Sequence, residues 1–476
     1  MKIKKIISDK PSIVYAESTS EFNNRMDAMY YNTLYINNER RLLNSSVMVR
    51  KLGDIILKMN SPIGWQGIPS SSYLDYGEGV PLIRVQNIND LFLNQETLIG
   101  VQEHIYNEQP AIQSEHGDIV ITRVGDTIGK VCIVPGDIDK IAMGQNLTRI
   151  KVDESIIDNR YLMIFLSTQF AKLQMDQLSY GGAQPSLTNR NIRELKVSVP
   201  ENDFQKFIAN KVLYAERLRK EAQKVKREYE QIIQSIYNNS NVIKFPKSIF
   251  KVGRKELDSK YLRIDSNFYN PEYKADINKS CTTKKLSKFA KLKKNCSNNL
   301  NTEYLYYEIG DLSNSKILED KGRIIGSELP GRAKLLLKQN DIIVSLVQES
   351  IEVTSFVDKA IPNALTTNGC AVLEVRDEKI APYLYAVLSS KYFIAIKCKY
   401  ISGTNIRSMS KEDLMDIDIP LPNNETIGVI SNLVISEFYN LRKSKEIIEE
   451  VKREVEDFIE GRFDISKLKQ STSGSR

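Results

Sequence analysis

Two short motifs have residue types and spacings that could do chemistry. The run "GDTIGK" (residues 125–130) has the glycines and lysine of a phosphate-binding loop, but it is one residue short between the glycines, and Val131 stands where Ser or Thr is needed. The run "EEVK" (residues 449–452) has the acid-x-lysine spacing of some nucleases, without an evident upstream aspartate to complete a site. We interpret the first as a tight turn and the second as a solvated helix face.

A third motif, "NPEY" (residues 270–273), resembles the N-P-P-Y motif that holds the target base in amino-methyltransferases. No glycine-rich turn of the kind that binds S-adenosylmethionine is apparent before it. The passage around it, "RIDSNFYNPEY" (residues 263–273), instead repeats an earlier one, "RMDAMYYNTLY" (residues 25–35), with Arg, Asp, Tyr, Asn and Tyr in the same places. The sequence therefore predicts no catalytic site here and raises the question of an internal repeat.

The repeat continues along the chain. Residues 186–200, "SLTNRNIRELKVSVP", align without a gap on residues 408–422, "SMSKEDLMDIDIPLP", and their apolar positions match in type, which predicts a turn, a short helix and a strand ending at proline. At the same spacing Asn146 falls on Asn368, and residues 160–168 fall on residues 382–390, an amphipathic helix in both copies. The second half is thus predicted to be a diverged copy of the first.

A long helical segment follows each copy. Seam positions recur at alternating steps of three and four residues, as in a coiled coil. They are Leu218, Ala222, Val225, Tyr229, Ile232 and Ile236 in the first segment, and Leu441, Ile448, Val451, Val455 and Phe458, with Ser444 between, in the second. The nearest partner for each seam is the other helix, so we expect an antiparallel pair that spaces two globules; helix packing without a spacing role is the alternative.

Composition limits the class of protein. A chain of 476 residues with 41% hydrophobic content is expected to form two or more globular domains, and no apolar run approaches the length of a membrane span. The start of the chain lacks the apolar core of a signal peptide, so we expect a cytoplasmic protein. The five cysteines show no CxxC pair and there are only two histidines, so no metal site or disulfide scaffold is expected.

The order of globule, long helix, globule and long helix resembles the specificity (S) subunit of Type I restriction-modification systems, which have two target-recognition domains and conserved helical regions. The resemblance covers nearly the whole chain and is carried by the full arrangement, present twice. Its motifs in the first copy include "KLGDI" (residues 51–55), "VPLIRVQNI" (80–88), "GDIVITRVGDTIGKVCIV" (117–134) and "GQNLTRI" (144–150). The second copy departs from them, with "LVQESIEV" (346–353) in place of "RVGDTIGK" (123–130).

The expected fold is mixed α/β, with two similar target-recognition globules separated by two long helices that pack as an antiparallel coiled coil. The predicted domains are an N-terminal segment with the first recognition domain (1–200), a central long helix (201–240), a second recognition domain (241–422), a C-terminal long helix (423–461) and a polar tail (462–476). The differences between the copies suit a protein in which each domain recognises its own short DNA sequence.

The resemblance also implies a function and partners. The chain would bind double-stranded DNA at a bipartite asymmetric target, without catalysis of its own and without a cofactor. Separate modification subunits, two for each specificity subunit, would bind S-adenosylmethionine and methylate adenine, and a restriction or translocase subunit is left open, in a bacterial or archaeal cell. A coiled-coil scaffold or nucleic-acid-binding protein without methyltransferase partners is the alternative.

Candidate DNA contacts are polar residues of the loops, since directed donors and acceptors recognise bases while lysines and backbone amides hold phosphates. In the first domain they are Arg84, Gln86, Asn87, Arg123, Thr127, Lys130, Gln145, Asn146, Arg149, Gln184 and Ser186. In the second domain they are Asn363, Thr366, Thr367, Asn368, Thr404, Asn405 and Arg407. A basic run adds Lys284, Lys285, Lys291, Lys293 and Lys294 as phosphate contacts, with a solvated face as the alternative.

Overall fold

The chain divides into two compact units in the computed structural model, which describes residues 28–62, 68–89, 91–179, 185–237, 250–253, 266–273, 275–318, 320–403 and 405–468. The first unit comprises Met1–Glu216 and Lys445–Arg476, and the second comprises Arg217–Ser444. Each combines helices with β-sheets, so the predicted mixed α/β class is confirmed. The limits of the units fall inside the two long helices, so each unit includes one part of each helix.

In the described part of the first unit, five short helices and thirteen strands precede the first long helix. The helices are α1 (Thr33–Leu43), α2 (Glu103–Glu108), α3 (Asn159–Ser167), α4 (Gln169–Ser179) and α5 (Asn189–Glu194). The strands are β1 (Met48–Lys51), β2 (Ile56–Asn60), β3 (Tyr73–Leu74), β4 (Val80–Ile83), β5 (Ile88–Asn89), β6 (Phe92–Leu93), β7 (Ile99–Val101), β8 (Gln113–Ser114), β9 (Ile119–Thr122), β10 (Val131–Ile133), β11 (Ile141–Met143), β12 (Leu147–Val152) and β13 (Lys196–Val199). The first long helix is α6 (Asn202–Ile236).

Two sheets organise the first unit. One has the strand order β10-β9-β12-β2, and the other has the order β3-β7-β4-β11-β8, in which β4 and β11 run parallel. Strand β9 is buried along its whole length, as its continuous apolar run predicts. Apolar residues of both sheets, including Ile83, Val120 and Met143, share one core. Burial on both faces fixes the registers of these strands and therefore the loops that follow them.

Among the described residues of the second unit, four short helices and ten strands precede the second long helix. The helices are α7 (Ser266–Tyr269), α8 (Ala381–Leu388), α9 (Lys391–Lys399) and α10 (Lys411–Met415). The strands are β14 (Thr282–Lys285), β15 (Ala290–Leu292), β16 (Glu303–Tyr307), β17 (Ile324–Ile325), β18 (Ala333–Leu336), β19 (Ile342–Ser345), β20 (Thr354–Phe356), β21 (Ala364–Thr367), β22 (Cys370–Val375) and β23 (Asp418–Leu421). The second long helix is α11 (Asn424–Ile459).

The predicted internal repeat is confirmed by the sheet topology. The second unit has the orders β15-β22-β19-β20 and β17-β16-β21-β18, which reproduce β2-β12-β9-β10 and β7-β4-β11-β8 of the first. The predicted short helix and strand before each proline are α5 with β13 and α10 with β23. One alignment needs correction. Leu147 pairs with Thr122 and Cys370 pairs with Ser345, so Asn368 corresponds to Gln145, and Gly369 to Asn146.

In the first unit, the start of α6 packs against the end of α11. The rings of Phe204 and Phe458 stack with centroids 3.8 Å apart, and Lys211 Nζ lies 2.7 Å from carboxylate oxygens of Glu450 and Glu454. Because later residues of α6 meet earlier residues of α11, the two segments run antiparallel.

In the second unit, the end of α6 packs against the start of α11 in the same antiparallel sense. Arg219 Nε donates to Ser444 Oγ at 3.3 Å, and Tyr229 Oη donates to Glu437 Oε2 at 2.8 Å. Every predicted seam residue is buried or half-buried. The predicted antiparallel helix pairing is therefore confirmed within each unit.

Candidate nucleic-acid interface

Five of the predicted DNA contacts lie together in the first unit. They line an open cleft of about 590 Å³ and come from three separate loops: Arg84, Gln86, Thr127, Lys130 and Gln145. Ser70, Tyr73 and Gly144 also line it. The cleft thus combines hydrogen-bonding side chains of several kinds with two cations, which is a composition suited to contacts with base edges and phosphates.

The loop after β4 is held by a buried amide. The Arg84 backbone N–H donates to Asn87 Oδ1 at 2.7 Å, while Asn87 Nδ2 donates to the Thr97 carbonyl at 3.0 Å. Asn87 is fully buried, so its polar atoms stabilise the turn and do not face a duplex. The prediction of Asn87 as a DNA contact is corrected accordingly, whereas Gln86 is exposed.

The "GDTIGK" segment forms the predicted tight turn. Lys130 N–H donates to Thr122 Oγ1 at 3.0 Å, and the two glycines adopt left-handed backbone angles, with φ of 73° at Gly125 and 81° at Gly129. A Cβ atom at Gly129 would also lie 3.0 Å from Met175 Sδ. Both glycines are therefore required by the conformation, and the turn presents Thr127 and Lys130 to the cleft.

A third turn connects β11 to β12. Gly144 N–H donates to the Ile83 carbonyl at 2.8 Å, and a Cβ atom at Gly144 would lie 3.0 Å from that oxygen, so glycine permits the close approach of the two strands. Asn146 adopts a left-handed φ of 66°, and its carbonyl accepts from Arg123 N–H at 2.8 Å. Gln145 lines the cleft; Asn146 is exposed beside it.

The charges of the first unit separate contact candidates from structural residues. Within the part of the chain that the structure describes, no acidic side chain pairs with Arg84, Arg123 or Lys130. Burial alone lowers the pKa of the half-buried Arg123 guanidinium. Arg149, by contrast, is 1% exposed and Nη1 donates to buried Asp118 at 2.6 Å. The prediction of Arg149 as a base contact is corrected: it is half of an internal ion pair.

Several candidates of the second unit are also structural. Thr366 is buried and Oγ1 donates to the Tyr307 carbonyl at 2.9 Å. Thr367 is buried and accepts from Gly369 N–H at 3.2 Å. Neither hydroxyl can meet DNA from these positions, so both predictions are corrected. The exposed candidates are Asn363, Asn368, Asn405 and Arg407, and in the first unit Ser186; Gln184 and Thr404 lie outside the described residues.

The basic run divides in the same way. Lys293 pairs with buried Asp341 and donates to the Leu336 carbonyl at 3.0 Å, with only 10% of its side chain exposed. Lys285 donates to the Asp416 carbonyl at 2.6 Å. The burial of Lys293 corrects its assignment as a phosphate contact, whereas Lys285 keeps 41% of its side chain exposed and stays a prediction. The exposed lysines of the run are Lys284, Lys291 and Lys294.

Sequence reasoning missed several surface residues. Ser70 and Tyr73 line the cleft, and the polar run "SSSY" (residues 70–73) was the available signal in the sequence. Arg332 and Lys321 of the second unit carry ion pairs with Glu308 and Asp311, but no local pattern distinguishes them from other exposed cations.

The "NPEY" motif repeats a structural turn. Tyr273 N–H donates to the Asn270 carbonyl at 3.1 Å, and Tyr35 N–H donates to the Asn32 carbonyl at the same distance. Both asparagines are buried at the start of a helical turn. This shared role accounts for the motif by the repeat alone.

The other chemical candidates behave as surface features. Lys452 Nζ lies 2.7 Å from Glu449 on the outer face of α11, while Val451 between them is buried. Across the described ranges, no cluster of three or more histidine, cysteine or acidic side chains is placed to hold a metal ion. None of the helices described here is long and apolar enough to cross a membrane.

A family comparison matches both copies of the repeat. Residues 44–226 and 279–453, more than half of the chain, match the model of the Type I restriction modification DNA specificity domain.

Curated relatives match over shorter stretches. The Type I restriction enzyme MjaVIII specificity subunit of Methanocaldococcus jannaschii is 26% identical over 179 residues, 36% of this chain and 42% of the relative. The Type I restriction enzyme EcoBI specificity subunit of Escherichia coli is 27% identical over 166 residues, 34% of this chain and 35% of the relative. The matches thus span less than half the length of these relatives.

Solved structures are similar at low identity. The crystal structure of a Type-I restriction-modification system S subunit from M. genitalium matches with a TM-score of 0.42 and 12% identity, covering 88% of this chain and 97% of that chain. The HsdS subunit from Thermoanaerobacter tengcongensis matches with a TM-score of 0.29 and 14% identity, covering 87% of this chain and 97% of that chain.

Proposed function

Because this chain belongs to the Type I restriction modification DNA specificity domain family, we propose that it binds a bipartite asymmetric DNA target and directs adenine methylation there by partner modification subunits. Each unit would recognise one half of the target. The chain itself would perform no catalysis.

One observation carries the proposal. In the first unit, three loops place two cations and three hydrogen-bonding side chains around one cleft, and these cations have no acidic partner within the described ranges. A cationic cleft attracts the phosphate backbone, and side chains such as Arg84, Gln86 and Gln145 can recognise base edges.

The second unit supports recognition of a different half-site. It has the same strand order as the first, yet its loops carry other residues, including Val353 at the position of Lys130. A shared frame with different contact residues is what two unlike half-sites require.

The partners follow from the proposed role. Separate modification subunits, two for each chain, would bind S-adenosylmethionine and supply the methyltransferase chemistry. Cleavage would need a further restriction or translocase subunit, and the proposal holds with or without it.

The test is to map methylated adenines in the native genome with and without this gene. We expect a bipartite motif that disappears on deletion and returns with the full chain. A motif that persists without the gene, or the absence of any adenine motif that depends on it, would favour a nucleic-acid-binding scaffold without methyltransferase partners.

A domain exchange tests whether each unit recognises one half-site separately. Replacing residues 51–200 by the matching segment of a relative with another target should change one half-site and leave the other. Simultaneous change of both half-sites would contradict separate recognition by the two units.

A further inference from the structure

In the second unit, the loop that corresponds to the Arg84 loop has an acidic residue in place of the arginine. The Glu308 backbone N–H donates to Asp311 Oδ2 at 2.7 Å, as the Arg84 N–H donates to Asn87 Oδ1 at 2.7 Å. The preceding strands, β16 and β4, each run parallel to an equivalent neighbour, β21 and β11. Glu308 therefore occupies the position of Arg84.

Other cleft positions have changed as well. The strand registers place Val353 at the position of Lys130 and Asn368 at that of Gln145. The second unit has thus lost both cations that line the first cleft and gained a carboxylate. Without compensation this surface would repel the phosphates that flank any groove.

A cation from a different segment compensates. Arg332 Nη2 donates to Glu308 Oε1 at 2.6 Å, and the Arg332 carbonyl accepts from Asn368 N–H at 2.9 Å. The Arg332 side chain is 59% exposed. Since a guanidinium has five N–H donors in a rigid fork, a carboxylate that engages one Nη fixes the direction of the donors that remain.

We propose that Arg332 is a specificity-determining residue of the second unit, contacting O6 and N7 of a guanine in the half-site that this unit recognises, with Glu308 as a positioning residue. The proposal rests on the proposed function and adds the base and the residue. Arginine is the side chain that best matches the two acceptors of guanine in the major groove. Arg332 thus takes over on another segment the place that Arg84 has in the first unit.

The test compares variants of the full chain, each produced with the modification subunits of the native system. The variants are Arg332→Ala, Arg332→Lys, Glu308→Gln, Arg84→Ala and Arg323→Ala. Arg323 is the matched control, because it is an exposed arginine of the same unit and, among the described residues, its side chain donates only to the Pro362 carbonyl, at 3.4 Å. Genome-wide methylated adenines give the half-sites, and binding to duplexes at several salt concentrations gives the salt slope.

We expect Arg332→Ala to relax one G·C position of a single half-site, with discrimination there reduced about tenfold or more. Arg332→Lys should relax the same position while keeping the salt slope, because lysine retains the charge and loses the fork. Glu308→Gln should weaken discrimination at that position only. Arg84→Ala should affect the other half-site, and Arg323→Ala neither.

Two results would overturn the assignment of Arg332. One is unchanged discrimination in both half-sites in Arg332→Ala. The other is uniformly weaker binding with a smaller salt slope and both half-sites intact, which would make Arg332 a phosphate contact. Failure of the proposed function is distinct, since the wild-type complex would then give no bipartite motif at all, and the assignment would fall with it.

Discussion

Arg149 donates a hydrogen bond to Asp118 at 2.6 Å inside the first unit, and both side chains are buried. The second unit keeps the acid as Asp341 but takes its cation from Lys293, which lies on the neighbouring strand segment. In both units the acid also accepts from a backbone N–H three residues before it. Both units thus have the ion pair, but the cation comes from a different strand segment in each. This indicates that the buried carboxylate needs a cation and that either segment can supply it.

This relationship predicts that a lysine at the position of Lys293 can replace Arg149 in the first unit. Arg149→Val should destabilise the first unit by about 3 kcal/mol, because Asp118 is left buried without a cation. Adding Asn60→Lys should restore part of that loss, since the strand registers place Asn60 where the second unit has Lys293, and Val372 where the first has Arg149. The measurement is hydrogen exchange of the β9 amides in urea.

The matched control for this prediction is Arg123→Val, which removes an arginine without an acidic partner in the described ranges. It should change stability far less than Arg149→Val. A double variant no more stable than Arg149→Val would show that the lysine cannot reach Asp118.

Local pattern was sufficient to predict much of the fold. The matched apolar positions around α5 with β13 and α10 with β23 gave helix, strand and repeat together, because each copy must bury the same faces. The two glycines of "GDTIGK" also made this turn recognisable in the sequence. Gly125 and Gly129 both adopt positive φ, a conformation that few other residues adopt.

Contact residues could be predicted only in part, because burial is decided by distant partners. Arg84 follows strand β4 and Arg149 lies in strand β12, yet only Arg149 has a buried acid beside it. Lys293 and Lys294 are adjacent in the sequence, and only Lys293 pairs with Asp341, 48 residues away. No spacing rule within the basic run distinguishes the two lysines.

Lys397 predicts a pH dependence of the second unit. Its side chain is fully buried on α9, its Nζ donates to the Ile351 carbonyl, and burial lowers its pKa to about 7. The unfolded chain keeps this proton up to about 10.5, so between about 7 and 10.5 stability rises with pH, by at most about 1.4 kcal/mol per pH unit. The gain is lost as pH falls through about 7.

The test of this dependence is Lys397→Met, because Met175 occupies the equivalent place in the first unit, against the turn at Gly129. We expect the urea midpoint of the variant to depend less on pH than that of the wild type between about pH 7 and 10. The charged or ionisable groups that influence Lys397 are Cys398, Glu352 and Cys370, which the variant leaves unchanged. An equal slope in wild type and variant would assign the dependence to another group.

Glu437 should make the stability of the second unit change with pH in the opposite direction, and at lower pH. It is buried on α11 and accepts from Tyr229 Oη at 2.8 Å, and burial raises its pKa to about 7. The folded chain therefore holds a proton that the unfolded chain releases above about 4.5, so this contribution is complete below about 4.5 and is lost as pH rises through about 7. Ser315, Lys226 and Glu230 also act on this carboxyl group.

We expect Glu437→Gln to remove this fall in stability between about pH 4.5 and 7, since the amide stays neutral while it can still accept from Tyr229. Tyr229→Phe should destabilise the second unit by about 1–3 kcal/mol, because a buried acceptor loses its donor. Hydrogen exchange of the α8 amides measures both. A Glu437→Gln variant with the wild-type slope would contradict the assignment.

The three exposed lysines of the basic run predict a change in salt dependence. If Lys284, Lys291 and Lys294 contact phosphates, replacing all three by Gln should weaken binding to every sequence and reduce the salt slope by up to about 3, with both half-sites unchanged. Anisotropy of labelled duplexes with the full complex, over a range of salt concentrations, measures the slope. Lys285→Gln is the comparison variant, because Lys285 is engaged by the Asp416 carbonyl and Asp418 and should change the slope less than any one of the three exposed lysines. An unaltered slope in the triple variant would mean that the run is a solvated face of the second unit and does not contact DNA.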